Sequence, residues 1–259
     1  MLQIKVMTNA TSRFSSRVAN YIKYRPSYPA QVIDCLREQC GLSANSIVAD
    51  VGSGTGIFSQ LLLPVAGHVY GVEPNREMRE AGERLLKGYT HFSSLDGTGE
   101  ATTLPDHSVD IITAAQAFHW FDRVKARQEF VRILKPGGWL VLTWNGRRED
   151  STPFLTAYEE MLQRYSTDYA QINHRNIDDD AVSAFYAPQA VSIAHFDNVQ
   201  MFDYDGAKGR LLSSSYVPDV GQPHHEAMMR EMESIFAQHQ QHGQVAFEYD
   251  TVLYIGRLV

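Results

Sequence analysis

Only two cysteines, Cys35 and Cys40, occur in 259 residues. They stand five apart in a segment that reads as helix, where they face each other poorly, so a disulfide framework is excluded and two small thiols are expected. Long apolar runs are also missing, and nothing approaches the roughly 18 residues of a membrane-spanning helix. From Met1 to Arg17 no uninterrupted apolar stretch of a secretory leader is visible. A cytoplasmic chain without a membrane partner is therefore expected, and the sequon Asn9-Ala10-Thr11 carries no weight. Positive charge is in the minority. Lys plus Arg number 23 against 30 Asp plus Glu, leaving −7, the wrong sign for a chain that works by neutralising phosphates.

What is present is an ordinary globular composition, with 44% apolar and 20% charged residues. The length suits one large α/β domain with additions. Strand signals at 47–51, 69–72, 91–95, 109–115 and 139–144 alternate with helical patterns at 57–63 and about 76–87, and with a helix capped by Asp122. That helix carries Val124, Ala126, Phe130, Ile133 and Leu134 as an inward stripe. It is expected to stop at Lys135-Pro136-Gly137-Gly138, which suits a type II turn. Strands spaced by helices predict a parallel sheet covered on both faces.

The second half changes rhythm. A helix from Ser151 or Thr152 puts Phe154, Leu155, Tyr158, Met161, Leu162 and Tyr165 on one face. Asp178-Asp179-Asp180 reads as a solvated turn or helix start, 199–204 as a strand, and 223–240 as a helix. Val245, Phe247, Tyr249, Thr251, Leu253 and Ile255 alternate as one buried strand face. The paired histidines His224-His225 and His239 with His242 lack an acid or cysteine at ligand spacing, so no metal is expected and a solvated helix face explains them.

The sharpest signal is Asp50-Val51-Gly52-Ser53-Gly54-Thr55-Gly56. It follows a strand and opens a helix, so backbone N–H groups and a helix N-terminus converge on a bound polar group. A dinucleotide fingerprint requires G-x-G-x-x-G, but Ile57 stands where the third glycine belongs. An acid two residues before the first glycine would repel a pyrophosphate and suits a ligand with a cationic end, such as the amino group of S-adenosylmethionine. Glu73, in Gly71-Val72-Glu73-Pro74-Asn75, ends the second strand where a carboxylate accepts ribose hydroxyls. Met78 either packs on an adenine face or fills the core.

Together with Gly97-Thr98-Gly99-Glu100-Ala101, Leu104-Pro105, Ser108-Val109-Asp110 and the Lys135–Gly138 turn, these residues resemble a class I S-adenosylmethionine-dependent methyltransferase over about 45–145. Tyr24-Arg25-Pro26-Ser27-Tyr28-Pro29 and Phe118-His119-Trp120-Phe121 resemble its small-molecule branch, the type 11 domain that includes trans-aconitate methyltransferase-like proteins. The segment Ser213 to Pro218, with Tyr216, is similar to the same branch. The resemblance implies a Rossmann-like, seven-stranded, mostly parallel sheet with helical insertions in the C-terminal half. Residues 1–45 would form lid helices, 46–150 the cofactor-binding core, and 151–259 a cap plus the strands completing the sheet.

The resemblance further implies S-adenosyl-L-methionine as cofactor and S-adenosyl-L-homocysteine as product. Asp50, Gly52, Ser53, Gly54, Thr55 and Gly56 would hold the methionine moiety. Glu73, with Pro74, Asn75 and Met78 beside it, would take the ribose, and Thr98, Gly99, Glu100 and Ala101 the adenine edge. Many family members carry Asp where Thr98 stands, which shifts the adenine contact to backbone groups of Gly99 and Glu100. Tyr24 and Arg25 would lie over the cofactor, Arg25 either near its carboxylate or in a lid-positioning salt bridge. Gln116 and Ala117 would line the methyl channel.

Methyl transfer asks the protein for placement and dryness rather than a nucleophile. His119 follows the fourth strand and is the candidate base or substrate-positioning group, against the alternative of a packed histidine. Phe118 and Trp120 offer an aromatic face or simply core, and Tyr216 is a further substrate-binding candidate. No Pro-Pro or Pro-Cys dipeptide exists, which removes the Asn/Asp-Pro-Pro-aromatic signature of amino-methylating enzymes and the motif of cytosine-carbon methylases. A small molecule, a carboxylic acid in the first instance, is the expected acceptor of a monomer or homodimer. Two alternatives are a binder of the cofactor without turnover and, disfavoured by Ile57, a nicotinamide-linked oxidoreductase.

Overall fold

The computed structural model describes residues 22–166 and 179–259. The glycosylation sequon and Asp178 therefore lie outside the described residues. Seven strands form one sheet: β1 Ile47–Val51, β2 His68–Val72, β3 Phe92–Leu95, β4 Val109–Ala115, β5 Leu134–Arg147, β6 Val191–Phe202 and β7 Val245–Gly256. Their spatial order is β3-β2-β1-β4-β5-β7-β6. β1 to β5 pair in parallel, and β7 runs antiparallel to both β5 and β6. The chain leaves β1 toward β2 and β3, then returns to its other side as β4, so the carboxyl ends of β1 and β4 flank the crevice where open α/β sheets bind ligands.

One face packs on α1 Gln31–Cys40 and α2 Ile57–Leu62, with Val48, Ile111, Val141 and Leu253 against Val32, Leu36, Phe58 and Leu62. α3 Arg76–Leu86 follows β2. The other face packs on α4 Arg123–Ile133 and α6 Asp179–Tyr186 through Ile112, Ala114, Leu142 and Trp144. A third cluster joins α5 Pro153–Tyr165, α7 Tyr204–Leu212 and α8 His225–His239 to Val245, Phe247 and Tyr249. β5 and β7 extend past the carboxyl end of β4 to reach it, so this cluster stands over the edge where the crevice opens.

Local sequence accounts for most boundaries. Asp122 caps α4 by accepting from the amides of Val124 and Lys125, and Thr152 caps α5 by accepting from Leu155. The stripe of α4 needs one correction. Ala126, Phe130 and Ile133 are buried, but Val124 is 70% exposed, because two positions before Ala126 is more than half a turn away.

The expected stop at Lys135 also shifts. Leu134 is already extended and pairs with Val109, and pairing then jumps to Ile111 with Trp139. Lys135 to Gly138 thus bulge from the strand, with Gly137 at φ +76° and Lys135 Nζ 2.9 Å from both oxygens of Asp110. β6 begins at Val191, eight residues before the expected strand. Its polar alternation through His195, Asp197 and Asn198 conceals an edge strand with one open face. His225 is not on a solvated face: it is buried, and its Nδ1 donates to the carbonyl of Pro218 at 2.9 Å.

Chemical denaturation checks the α4 assignment. Phe130→Ala is expected to cost about 3–5 kcal/mol by opening a cavity, and Val124→Ser to change stability by less than about 0.5 kcal/mol.

Candidate active site

β1 ends on a carboxylate that water does not reach. Asp50 is fully buried. Its Oδ2 accepts from Ser59 Oγ of α2 at 2.7 Å, and its Oδ1 from Thr113 Oγ1 of β4 at 3.0 Å. Burial pushes its carboxyl up to about 6, with the hydroxyl donors acting against that rise. The sequence places this acid against a ligand's cationic end. In the structure both oxygens first join the loop helix to the neighbouring strand, leaving the remaining acceptor capacity for a ligand.

The loop above it turns through three left-handed glycines, Gly52, Gly54 and Gly56 at φ +73°, +57° and +84°. The amides of Gly52 and Ser53 both donate to the carbonyl of Val72, at 2.8 and 3.1 Å. A Cβ on Gly52 would stand 2.5 Å from that of Ala117, so the ends of β1 and β4 meet only because position 52 has no side chain. α2 has just six residues, and the loop backbone, not a long helix, shapes this cradle. Thr55 lies beneath it, with a buried Oγ1 that has no hydrogen-bond partner.

Glu73 closes the cradle from the β2 side. Its Oε2 accepts from the amide of Gly54 at 2.9 Å and its Oε1 from that of Asn75 at 2.8 Å. Burial raises its carboxyl above the usual range, and the two amide bonds oppose that shift. The neighbouring expectations divide. Pro74 is exposed, and Asn75 caps α3 by accepting from Met78 at 2.9 Å. Met78 is buried, with its sulfur 3.8 Å from where a Gly54 Cβ would lie, so it supports the loop from within.

The 97–101 segment is a tight turn in which the amides and carbonyls of Thr98 and Ala101 pair reciprocally. The Glu100 amide, expected on the adenine edge, donates to Thr98 Oγ1 at 3.2 Å, and the Glu100 carboxylate accepts from the Asp122 amide at 2.7 Å. Ala101 is exposed. Phe121 is a residue the sequence reading missed. Its ring lies 2.8 Å from where a Gly99 Cβ would be and 3.7 Å from that of Gly52, forming a wall between the loop and this turn.

After β4 the chain takes the left-handed region at Gln116, φ +56°, an uncommon conformation for a residue with a side chain. Gln116 Nε2 donates to the carbonyl of Asn145 at 3.0 Å, and its buried Oε1 has no partner. Ala117 backs Gly52 as described. Phe118 is not a substrate-facing group. The short helical turn Phe118–Trp120 directs it into the core, 1% exposed, with edge contacts to Phe185 at 4.8 Å and Trp144 at 6.1 Å. His119 and Trp120 stay half-buried with ring centres 4.8 Å apart.

The N-terminal motif crosses this edge as a strap. Tyr28 packs edge-on against Phe58 of α2 at 4.8 Å. The carbonyl of Ser27 accepts from Asn145 Nδ2 at 3.1 Å and Asn198 Nδ2 at 2.7 Å. Arg25 Nη2 donates to the carbonyl of Ser213 at 3.0 Å, and Tyr24 lies against Gly209 of α7 and Phe202. Both residues hold the strap to the C-terminal half. Tyr216 is half-buried beside the third cluster.

The hub of this region is Asn145, absent from the sequence candidates. Its Oδ1 accepts from Thr251 Oγ1 at 2.5 Å and Asn198 Nδ2 at 3.3 Å. The one available signal was Thr251 and Tyr249 among the apolar residues of β7's alternation, polar groups on a face predicted to be buried. Among the described residues no group of three or more His, Cys, Asp or Glu is placed to hold a metal ion, and no helix is long and apolar enough to cross a membrane.

Burial of Asp50 has a measurable consequence. With its folded carboxyl near 6 and its unfolded one near 4, the folded chain binds the extra proton between those values, so this group weakens folding as pH rises through that window. Asp50→Asn is therefore expected to stabilise the ligand-free protein at pH 7.5 by an amount on the order of 2–3 kcal/mol, read as a higher melting temperature. The gain should fade toward pH 4, and an equal gain at both pH values would reject burial of the charge as its cause.

Residues 49–142 match the methyltransferase domain family. An uncharacterized methyltransferase-like protein of Schizosaccharomyces pombe is 34% identical over 158 residues, 60% of this chain and 59% of the relative. An uncharacterized methyltransferase of Mycobacterium tuberculosis is 40% identical over 136 residues, 52% of this chain and 53% of the relative. The chain thus spans just over half the length of these relatives. Among solved structures, a candidate type II methyltransferase from Anaeromyxobacter dehalogenans superposes with a TM-score of 0.69 at 19% identity, covering 91% of this chain and 99% of that one. The YcgJ protein of Bacillus subtilis gives 0.56 at 22% identity, covering 87% and 97%. Residues 49–142 thus form a methyltransferase domain, set in a sheet that has the fold of these solved methyltransferase structures.

Proposed function

We propose that the protein transfers a methyl group from S-adenosyl-L-methionine to a small-molecule acceptor, a carboxylic acid. The observation that carries this reading is the cradle itself: two buried carboxylates, Asp50 and Glu73, flank a loop of three left-handed glycines. The buried oxygens Thr55 Oγ1 and Gln116 Oε1 wait there without partners. This is an anionic, polar-lined seat for a ligand with a cationic head and hydroxyls, and it fits the cofactor. When bound, the cofactor supplies a methyl on a sulfonium together with its leaving group.

The chain's own residues then have three tasks. Asp50 and the 52–56 loop bind the amino-acid end, and Glu73 accepts from the ribose hydroxyls. Gly99 beside the Phe121 wall borders the adenine. Gln116 and Ala117 fix the approach to the reacting carbon, and the Tyr24 to Tyr28 strap excludes water. Exclusion of water strengthens each polar contact inside the site. His119 positions the acceptor. For an acceptor whose oxygen is already ionised no proton has to be removed, and for a hydroxyl or amine His119 would take it. The motifs at 24–29 and 118–121 support the trans-aconitate methyltransferase-like branch, and the acidic surplus of the chain supports a small molecule over nucleic acid, acting in the cytoplasm as a monomer or homodimer.

Calorimetry with S-adenosyl-L-methionine tests the cradle. Asp50→Ala is expected to weaken binding more than tenfold, the loss of a charge-assisted contact of about 1.5–3 kcal/mol, and an unchanged affinity would leave Asp50 a purely structural group. Release of S-adenosyl-L-homocysteine in the presence of a metabolite extract distinguishes turnover from mere binding. With an acceptor in hand, His119→Ala should slow turnover by much more than it weakens cofactor affinity, and the opposite pattern would remove His119 from the acceptor site.

A further inference from the structure

Arg210 of α7 is a fully buried cation, 5% exposed, whose partners are all neutral. Its Nε donates to the phenol of Tyr249 at 3.0 Å and its Nη1 to Ser214 Oγ at 3.2 Å. Tyr249 in turn donates a hydrogen bond to Gln200 Oε1 at 2.9 Å. The phenols of Tyr158 and Tyr216 are the other groups that act on its charge, and burial holds the Tyr158 hydroxyl far above its usual range, so it stays neutral. No described carboxylate pairs with Arg210.

The nearby cations are already matched. Arg147, opposite Tyr249 on β5, pairs with Glu159, and Arg148 bonds Asp250 and Asp197. An uncompensated buried charge is expensive, while apolar replacement of such a group is often neutral or stabilising. A cation kept in this setting is therefore explained by an anion that arrives with a ligand.

The position connects it to the cleft. Tyr249 and Thr251 lie on the same face of β7, and Thr251 bonds Asn145, whose carbonyl takes the Gln116 amide. Gln200 Nε2 donates to the carbonyl of Arg25 in the strap at 3.4 Å. A continuous file of polar side chains thus runs from the end of β4, under the strap, to Arg210.

We propose that Arg210 anchors a carboxylate of the methyl acceptor. One guanidinium among neutral phenols and a serine hydroxyl matches a single negative charge, and a phosphate dianion would call for a second cation. An oxygen held by a guanidinium is also less nucleophilic. The anchored carboxylate is therefore a handle and not the methylated atom, so the acceptor carries a second nucleophilic group, as dicarboxylates and hydroxy acids do. This inference rests on the methyltransferase reading and adds to it the residue that selects the acceptor.

The test is calorimetry on the full chain loaded with S-adenosyl-L-homocysteine, titrated with succinate, glutarate, malate and citrate, with the matching amides, and with phosphate and sulfate. At least one carboxylate should bind, with its amide weaker by tenfold or more. Arg210→Met should weaken that carboxylate at least tenfold while leaving S-adenosyl-L-homocysteine affinity within twofold and the melting temperature of the ligand-free protein undiminished. Arg210→Lys should retain part of the binding. Carboxylate binding unaffected in Arg210→Met, no carboxylate binding to the unaltered protein, or preference for phosphate or sulfate would each overturn the proposal. A lowered melting temperature would make Arg210 structural, and lost S-adenosyl-L-homocysteine affinity would assign it to the cofactor. Failure of the unaltered protein to bind S-adenosyl-L-homocysteine would overturn the methyltransferase reading, and this proposal with it.

Discussion

Two carboxylates removed from water at the ends of adjacent strands set the terms for everything around them. Asp50 and Glu73 are each held by hydroxyl or amide donors against their oxygens, and the charge of Asp50 itself raises the Glu73 carboxyl. Folding such groups is tolerable only if every donor is in place, because a half-satisfied buried carboxylate costs more than an apolar residue would. The donors come from β4, α2, the glycine loop and the start of α3. Those four elements must therefore settle together, and the loop cannot relax without stranding a charge. Rigidity of the cradle and its negative potential have the same origin.

A buried charge of the opposite sign lies in the C-terminal half. α7 brings a buried guanidinium against the extended end of β7, and the polar residues of β5, β6 and β7 fill the distance between. A parallel sheet that ended flush at β4 would have no floor there. Extension of β5 to Arg147, paired with β7 over its whole final stretch, supplies that floor and brings the third hydrophobic cluster over the crevice. The inserted helices are thus positioned by the strands that frame them.

Much of this was legible in the chain. Strong alternation gave β7, glycines after a strand gave the cradle, and Asp122 and Thr152 marked helix starts at which the structure does place capping bonds. The misreadings have physical causes. Val124 is apolar and near the right period, yet it sits in the first turn on the outer side. β6 has the mixed composition of an edge strand, whose open face imposes no pattern. Phe118 belongs to a motif with His119, but a single helical turn sends neighbouring side chains to opposite sides, one into the core. Asn145, Asn198, Gln200 and Arg210 were illegible for a deeper reason. Each is an ordinary polar residue whose meaning arises chiefly from partners about 40 to 175 positions away, and one sequence carries no local mark of such pairs.

The strap is gripped at Ser27 through its main-chain carbonyl, by two asparagines from separate strands, while the Ser27 side chain is exposed. Natural selection at this crossing therefore acts on the path of the chain and not on the identity of the residue there. Orthologues should tolerate almost any side chain at position 27, with constraint falling instead on the two asparagines that read the backbone. A scan for invariant letters would pass over this junction, although it is where the two halves of the molecule are fastened.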